Sequence, residues 1–203
     1  MGVARHTKLP EVEGLSLEEI MEKYVARFAE RKPDWYAFED AKVEGYKRAQ
    51  HRFIGAGASG KHADPDVIPA VGFTLTMMFV NPGQGNAPHT HEVEEIFFVL
   101  QGYLNAFIED ENGRRINIRL GPWECIACPP GVIHGYVNDS LEPVYFQVMV
   151  GVARPETTAK MGIGPESSGA IVRSGRAGGQ DVAGPIPVCN GSEQGFFAAH
   201  ASG

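Results

Sequence analysis

Apolar side chains fall into two rhythms along this chain. Leu17, Ile20, Tyr24 and Phe28 recur at three- and four-residue spacing, the period of one helix face. Ser16 and Glu19 form a capping-box pattern ahead of them, in which each side chain can satisfy the other residue's free amide. Pro33 sets the far limit. A helix near residues 16–30 is expected, packed on the rest of the chain or on a partner subunit. From residue 70 the rhythm shortens. Phe73 to Val80, Glu95 to Leu100, Tyr103 to Glu109, Arg114 to Leu120, Cys125 to Cys128 and Val144 to Val150 are short runs rich in β-branched and aromatic residues. Asn81-Pro82-Gly83, Gly102 and Pro129-Pro130-Gly131 punctuate them. Asp110-Glu111-Asn112-Gly113 reads as a hairpin tip, with a glycine available for positive φ. Short strands at this spacing, without helices between them, indicate an all-β sandwich or barrel.

Three segments follow. Residues 1–69 form an N-terminal extension carrying the helix, residues 70–152 the β-barrel, and residues 153–203 a tail rich in Gly, Ser and Ala. The tail has few large apolar residues before Phe196 and Phe197, too few to offset its own ordering entropy. It is expected to lie on the barrel or on a partner subunit. Ile96, Phe98 and Leu100 alternate with Glu95, Phe97 and Val99, so this strand is apolar on both faces and must be covered on both. A homodimer or larger homo-oligomer is expected, with the tail or the N-terminal segment crossing between subunits.

Composition narrows the function classes. Of 203 residues, 43% are hydrophobic and 21% charged, ordinary for a globular protein, while 25 Gly and 14 Pro favour a turn-rich β architecture. A formal net charge of −7 without a basic run argues against a nucleic-acid surface. Val71 to Val80, the longest apolar candidate, is too short and too interrupted for a membrane span. Met1 to Pro10 has no apolar core of a signal peptide, and three cysteines suggest no disulfide framework, so a reducing cytoplasm is the expected setting.

The candidate chemistry centres on His89, His91 and Glu95. Alternate residues of a strand share a face, so both imidazoles project together, and Glu95 has the same parity if the strand continues. Asn81 to Pro88 is a loop that brings the chain into the site. Gly83, His89, His91, Glu95 and Gly102 reproduce, without a gap, the spacing of the first cupin motif, and Pro129, Gly131, His134 and Asn138 match the latter part of the second. The opening Gly of that second motif falls on Trp123, with Gly121 two residues earlier. Over residues 70–152 the chain therefore resembles the cupin superfamily. The resemblance implies a double-stranded β-helix (jelly-roll) barrel with a metal inside, held by His89, His91, Glu95 and His134. Three neutral imidazoles and one carboxylate leave a divalent ion with net charge +1 and up to two open positions in an octahedral shell. One divalent transition metal is expected; Fe(II) fits oxygen chemistry, and Mn, Ni, Zn and Cu suit the same donors.

Around this set, Tyr136 and Gln147 are the candidates for substrate contact, and Phe97 shares the parity of Glu95 and should point inward. Trp123 and Tyr145 read as packing residues. Arg52 and Lys61 could receive a substrate carboxylate. Cys125 and Cys128 are three apart, so on a strand they face opposite ways; Cys189 is isolated. His6, His51, His62 and His200 read as surface residues. The leading function is an Fe(II)-dependent dioxygenase of a small aromatic or diketone-like substrate. The alternatives are a non-redox isomerase, lyase or decarboxylase using the metal as a Lewis acid, and a small-ligand-binding module without catalysis. The expected partner is a small molecule, with neither nucleic acid nor membrane. A regulator would need a DNA-binding helix pair, which is absent from the extensions, and a storage protein would carry more than one motif pair.

Overall fold

A computed structural model describes residues 6–59 and 66–152. One helix, α1 (Leu17–Tyr24), precedes eight strands: β1 (Arg48–Ile54), β2 (Phe73–Val80), β3 (Glu95–Gln101), β4 (Leu104–Glu109), β5 (Arg115–Leu120), β6 (Cys125–Cys128), β7 (Ile133–Val137) and β8 (Val144–Gly151). They form two antiparallel sheets, one ordered β1-β2-β8-β3-β6 and the other β5-β4-β7. This is the two-sheet, crossover-rich pattern of a double-stranded β-helix.

Period-2 alternation sets which side chains meet between the sheets. Glu95, Phe97 and Val99 oppose Val150, Val148 and Phe146 in register, and Val144 and Phe146 oppose Val80 and Met78. All are buried, and all but Glu95 form one core with Leu104, Ala106, Leu120 and Tyr136. Phe97, Phe146 and Tyr136 meet edge to face, with ring centroids 4.9–5.8 Å apart. Each such fully buried side chain contributes about 1.5–3 kcal/mol.

Three features differ from the pattern-based expectation. The helix stops at Tyr24, not near residue 30: Val25 is already extended, and no residue of α1 is buried, so no packing sustains further turns. Phe28 instead enters a short 3-10 turn and lies on the outer face of the larger sheet, 4.9 Å from His51 and 6.1 Å from Tyr145 between ring centroids. The barrel begins at Arg48, not at residue 70, because β1 pairs with β2 from Arg48↔Val80 to Ile54↔Leu75. Trp35, from the same N-terminal segment, sits edge-on to Phe79. The extension thus covers part of the apolar outer face. The tail lies outside the described residues. Among the described residues, no helix is long and apolar enough to cross a membrane.

Candidate metal centre

One loop and two strands deliver the four candidate ligands: His89 and His91 from the β2–β3 connection, Glu95 from β3 and His134 from β7. His89 and His134 form an isolated antiparallel bridge, each amide donating to the other's carbonyl at 3.1 and 2.9 Å. The carbonyl of His91 accepts from the Gly131 amide at 2.9 Å, fixing the second histidine on the same loop pair. The chain then bends at Glu92 and Val93 before Glu95 opens β3. The expected continuous strand from His89 to Glu95 is therefore interrupted. The bridge to β7, rather than strand parity, brings the side chains together.

They converge tightly. One ligand atom from each of His89, His91, Glu95 and His134 lies within 4.8 Å of the others. Glu95 Oε2 stands 2.8 Å from His134 Nε2 and 3.3 Å from Nε2 of both His89 and His91. The far ring nitrogens are anchored. Nδ1 of His89 is 3.0 Å from the Ala87 carbonyl, and Nδ1 of His134 is 2.7 Å from the Val132 carbonyl. A carbonyl only accepts, so each Nδ1 carries the proton and each Nε2 presents a lone pair to the cluster, the tautomer metal ligation needs.

Electrostatics agree. Burial pushes the Glu95 carboxyl up, but the close approach of His134, His89 and His91 to its Oε2 outweighs it and holds the group well below the ordinary carboxylate range. Glu95 stays an anion. Nε2 of His91 is buried and has no hydrogen-bond partner, although it stands 3.3 Å from Glu95 Oε2. A buried nitrogen left without a partner is costly, and a cation at the convergence point removes that cost. The residues present therefore fit a single divalent metal ion, with nitrogen and oxygen donors that suit several transition metals.

The other sequence candidates scatter. Tyr136 is buried two residues beyond His134 on the same face of β7, its ring 5.2 Å from Phe97. Burial pushes its phenol well above the ordinary tyrosine value, and the Arg48 guanidinium in reach of the hydroxyl offsets this only in part. Gln147 does not face the site. It pairs with Phe98 and Met77, the face opposite to Glu95 and Phe97, because parity on β8 gives the interior to Phe146 and Val148. Arg52 is paired with Asp34 at 2.7 Å. Lys61, His62, Cys189 and His200 lie outside the described residues. Cys128 is buried in register with Glu95, whereas Cys125 is exposed in register with Phe98, as their spacing required. Burial and the charges of Glu95 and Glu94 push the Cys128 thiol up to about 12, so it remains protonated. His51, read as a surface residue, is buried beneath Phe28.

Four residues of the site escaped sequence reading. Asn86 is buried, accepts the Tyr136 amide at 2.8 Å and lies 3.2 Å from His89 Nδ1. Gly135 is required there, since an added Cβ would fall 2.5 Å from the Phe107 ring and 3.0 Å from Asn86 Oδ1. Asp40 and Arg48, buried behind the same loop, complete the group. Only a short polar residue three before a ligand, and buried charges in an alternating strand, could have signalled them.

Residues 76–151 match the model described as the cupin domain. No curated protein matches the sequence. Among solved structures, the polyketide cyclase RemF from Streptomyces resistomycificus is 26% identical, covering 64% of this chain and 80% of its own, with a TM-score of 0.47. An RmlC-like cupin from Shewanella frigidimarina is 12% identical over 65% of this chain and 93% of its own, TM-score 0.45. Peruvianin-I, a cysteine peptidase from the latex of Thevetia peruviana, is 12% identical over 74% and 82%, TM-score 0.50; at that identity the likeness concerns the fold alone.

Proposed function

From the chain's membership of the cupin superfamily we infer that it is a metal-dependent enzyme, and specifically an Fe(II)-dependent dioxygenase of a small aromatic or diketone-like substrate. The observation that carries this reading is the convergence of three imidazoles and one carboxylate within 4.8 Å. Four protein donors leave room in the shell of a divalent ion for substrate. A ferrous ion held by this set would supply redox chemistry with dioxygen.

The chain's own residues favour an apolar substrate. A cavity of about 480 Å³ flanks the ligand loops; Ile108, Ile116, Val132 and Ile133 supply its apolar lining beside Thr90, and Glu109, Asp110, Glu111 and Arg114 also line it. That is the size of a small-molecule site. Thr90 lies between His89 and His91 in the chain, and Ile108 opposes His134 directly in register. Ile116 and Ile118 share the face of β4 and β5 that carries Ile108 and Ala106, yet both are about half exposed. An apolar ring seated there would recover hydrophobic energy and displace water from the approach. Tyr136 keeps its proton, so it acts as a hydrogen-bond donor and packing wall, not as a base. Glu95, fixed as a carboxylate, holds negative charge at the centre.

Oxygen decides between this chemistry and a Lewis-acid reaction. Protein loaded with Fe(II) under anaerobic conditions is to be screened against small phenols and diketones in an oxygen-electrode cell. The reading expects oxygen consumption in proportion to product, none without substrate, and loss of turnover when Zn replaces Fe. Turnover of the same substrate at an undiminished rate under strict anaerobiosis would contradict it and favour an isomerase, lyase or decarboxylase.

A further inference from the structure

We propose that the buried Asp40–Arg48 pair, supplied by residues ahead of the cupin-domain match, is a positioning device for the metal ligand His89. This rests on the metal-centre reading above. Arg48 Nη2 meets Asp40 Oδ1 at 2.9 Å, with the two side chains 4% and 11% exposed. The guanidinium is held on three more sides: Nη1 donates to the Tyr46 carbonyl at 2.8 Å, the plane lies 4.2 Å from the Phe38 ring centroid, and the Tyr136 hydroxyl is in reach. The other carboxylate oxygen, Oδ2, accepts the Ala87 amide at 3.0 Å. The Ala87 carbonyl in turn accepts from His89 Nδ1 at 3.0 Å. An unbroken path of polar contacts therefore runs from Arg48 through Asp40 and residue 87 to the imidazole.

The physical logic favours geometry over stability. Desolvation offsets most of the attraction within a buried ion pair, so such a pair is a weak source of folding energy. A hydrogen bond to a carboxylate is shorter and stronger than one between neutral groups, and it fixes its partner more sharply. Here the partner is the backbone of an irregular loop stretch ending in Pro88, which has no amide of its own with which to brace the loop. Asp40 supplies the brace, and Arg48 keeps Asp40 aimed. Groups that orient a metal-bound histidine from behind typically govern about 10–100-fold in metal affinity. The second ion pair of the same segment, Arg52–Asp34 at 2.7 Å, provides the contrast, since it lines a cleft with Glu30, Arg31 and Trp35.

The test is a Co(II) titration of the full chain, read by visible absorption and by Kd, for wild type, Asp40→Ala, Asp40→Asn and Asp34→Ala. Asp40→Ala is expected to weaken Kd by about 10–100-fold and to shift the Co(II) bands. Asp40→Asn keeps an acceptor for the Ala87 amide, so it should recover part of the loss; it also carries the test if the alanine variant does not fold. Asp34→Ala should leave affinity and spectrum unchanged even if it lowers the melting temperature. Wild-type affinity and spectrum in both Asp40 variants, with metal still bound, would overturn the proposal. Absence of Co(II) binding by the wild type would overturn the metal-centre reading itself.

Discussion

Trp123 adopts φ = 72°, and it is the one non-glycine residue with positive φ among those described. The glycines at the corresponding turns, Gly83, Gly102 and Gly131, have φ of 75–80°. The motif position that sequence comparison assigns to glycine thus keeps its left-handed backbone although it carries an indole. That conformation costs a non-glycine residue about 1–2 kcal/mol. The indole is 76% exposed and meets Phe98 at a centroid distance of 6.3 Å, so its packing return is small. Trp123→Gly and Trp123→Ala both remove the ring, but only glycine relieves the backbone. The glycine variant should melt above the alanine variant by about 2–4 °C, the shift expected for about 1 kcal/mol in a chain of this size. The reverse order in thermal melts would show that the turn is not strained. The sequence exposed the departure at Trp123; whether the turn had changed or merely carried an unfavourable residue required the backbone angle.

At the scale of elements, the strands that pattern reading found are those whose inward positions are apolar, such as β2, β3 and β8. β1 went unrecognised because Arg48, Gln50 and His51, three of its four buried residues, are polar. β7 did because its interior positions are spent on His134 and Tyr136, with Gly135 between them. The four residues that converge, His89, His91, Glu95 and His134, were legible from motif spacing. The means of bringing them together was not, since a bend at residues 92–93 breaks the parity on which the argument relied. Gln147 failed for a related reason: the parity of β8 depends on its register with β3, which one strand's sequence does not contain. β1 also yields a pH prediction. Burial lowers the pKa of His51 from its ordinary 6.5, opposed in part by the Met77 carbonyl. The unfolded chain therefore takes up the proton first. His51 contributes no penalty above pH 6.5 and a growing one below it, so stability falls as the pH drops from 6.5 toward 5. Melting temperatures of wild type and His51→Gln should diverge from their pH 7 difference over that interval, with the variant less sensitive. Parallel profiles would show that His51 titrates alike in both states.

For the whole molecule, the N-terminal segment proves to be part of the barrel: it supplies β1, lays Phe28 and Trp35 on the outer sheet face, and sets Asp40 and Arg48 behind the ligand loop. The division at residue 70 followed a change in texture, but β1–β2 pairing ignores texture and joins the two segments. Everything in this architecture converges on one claim, that His89, His91, Glu95 and His134 hold a metal ion. The direct measurement is elemental analysis of the full chain purified without chelator, beside His134→Ala and Glu95→Ala prepared identically. The account predicts about one divalent transition metal per wild-type chain and loss of most of it in each variant, with His134→Ala still folded by circular dichroism. Wild-type protein that holds no metal after exposure to Fe(II), Mn(II), Ni(II), Cu(II) and Zn(II), or a His134→Ala variant that binds as tightly as its parent, would contradict it.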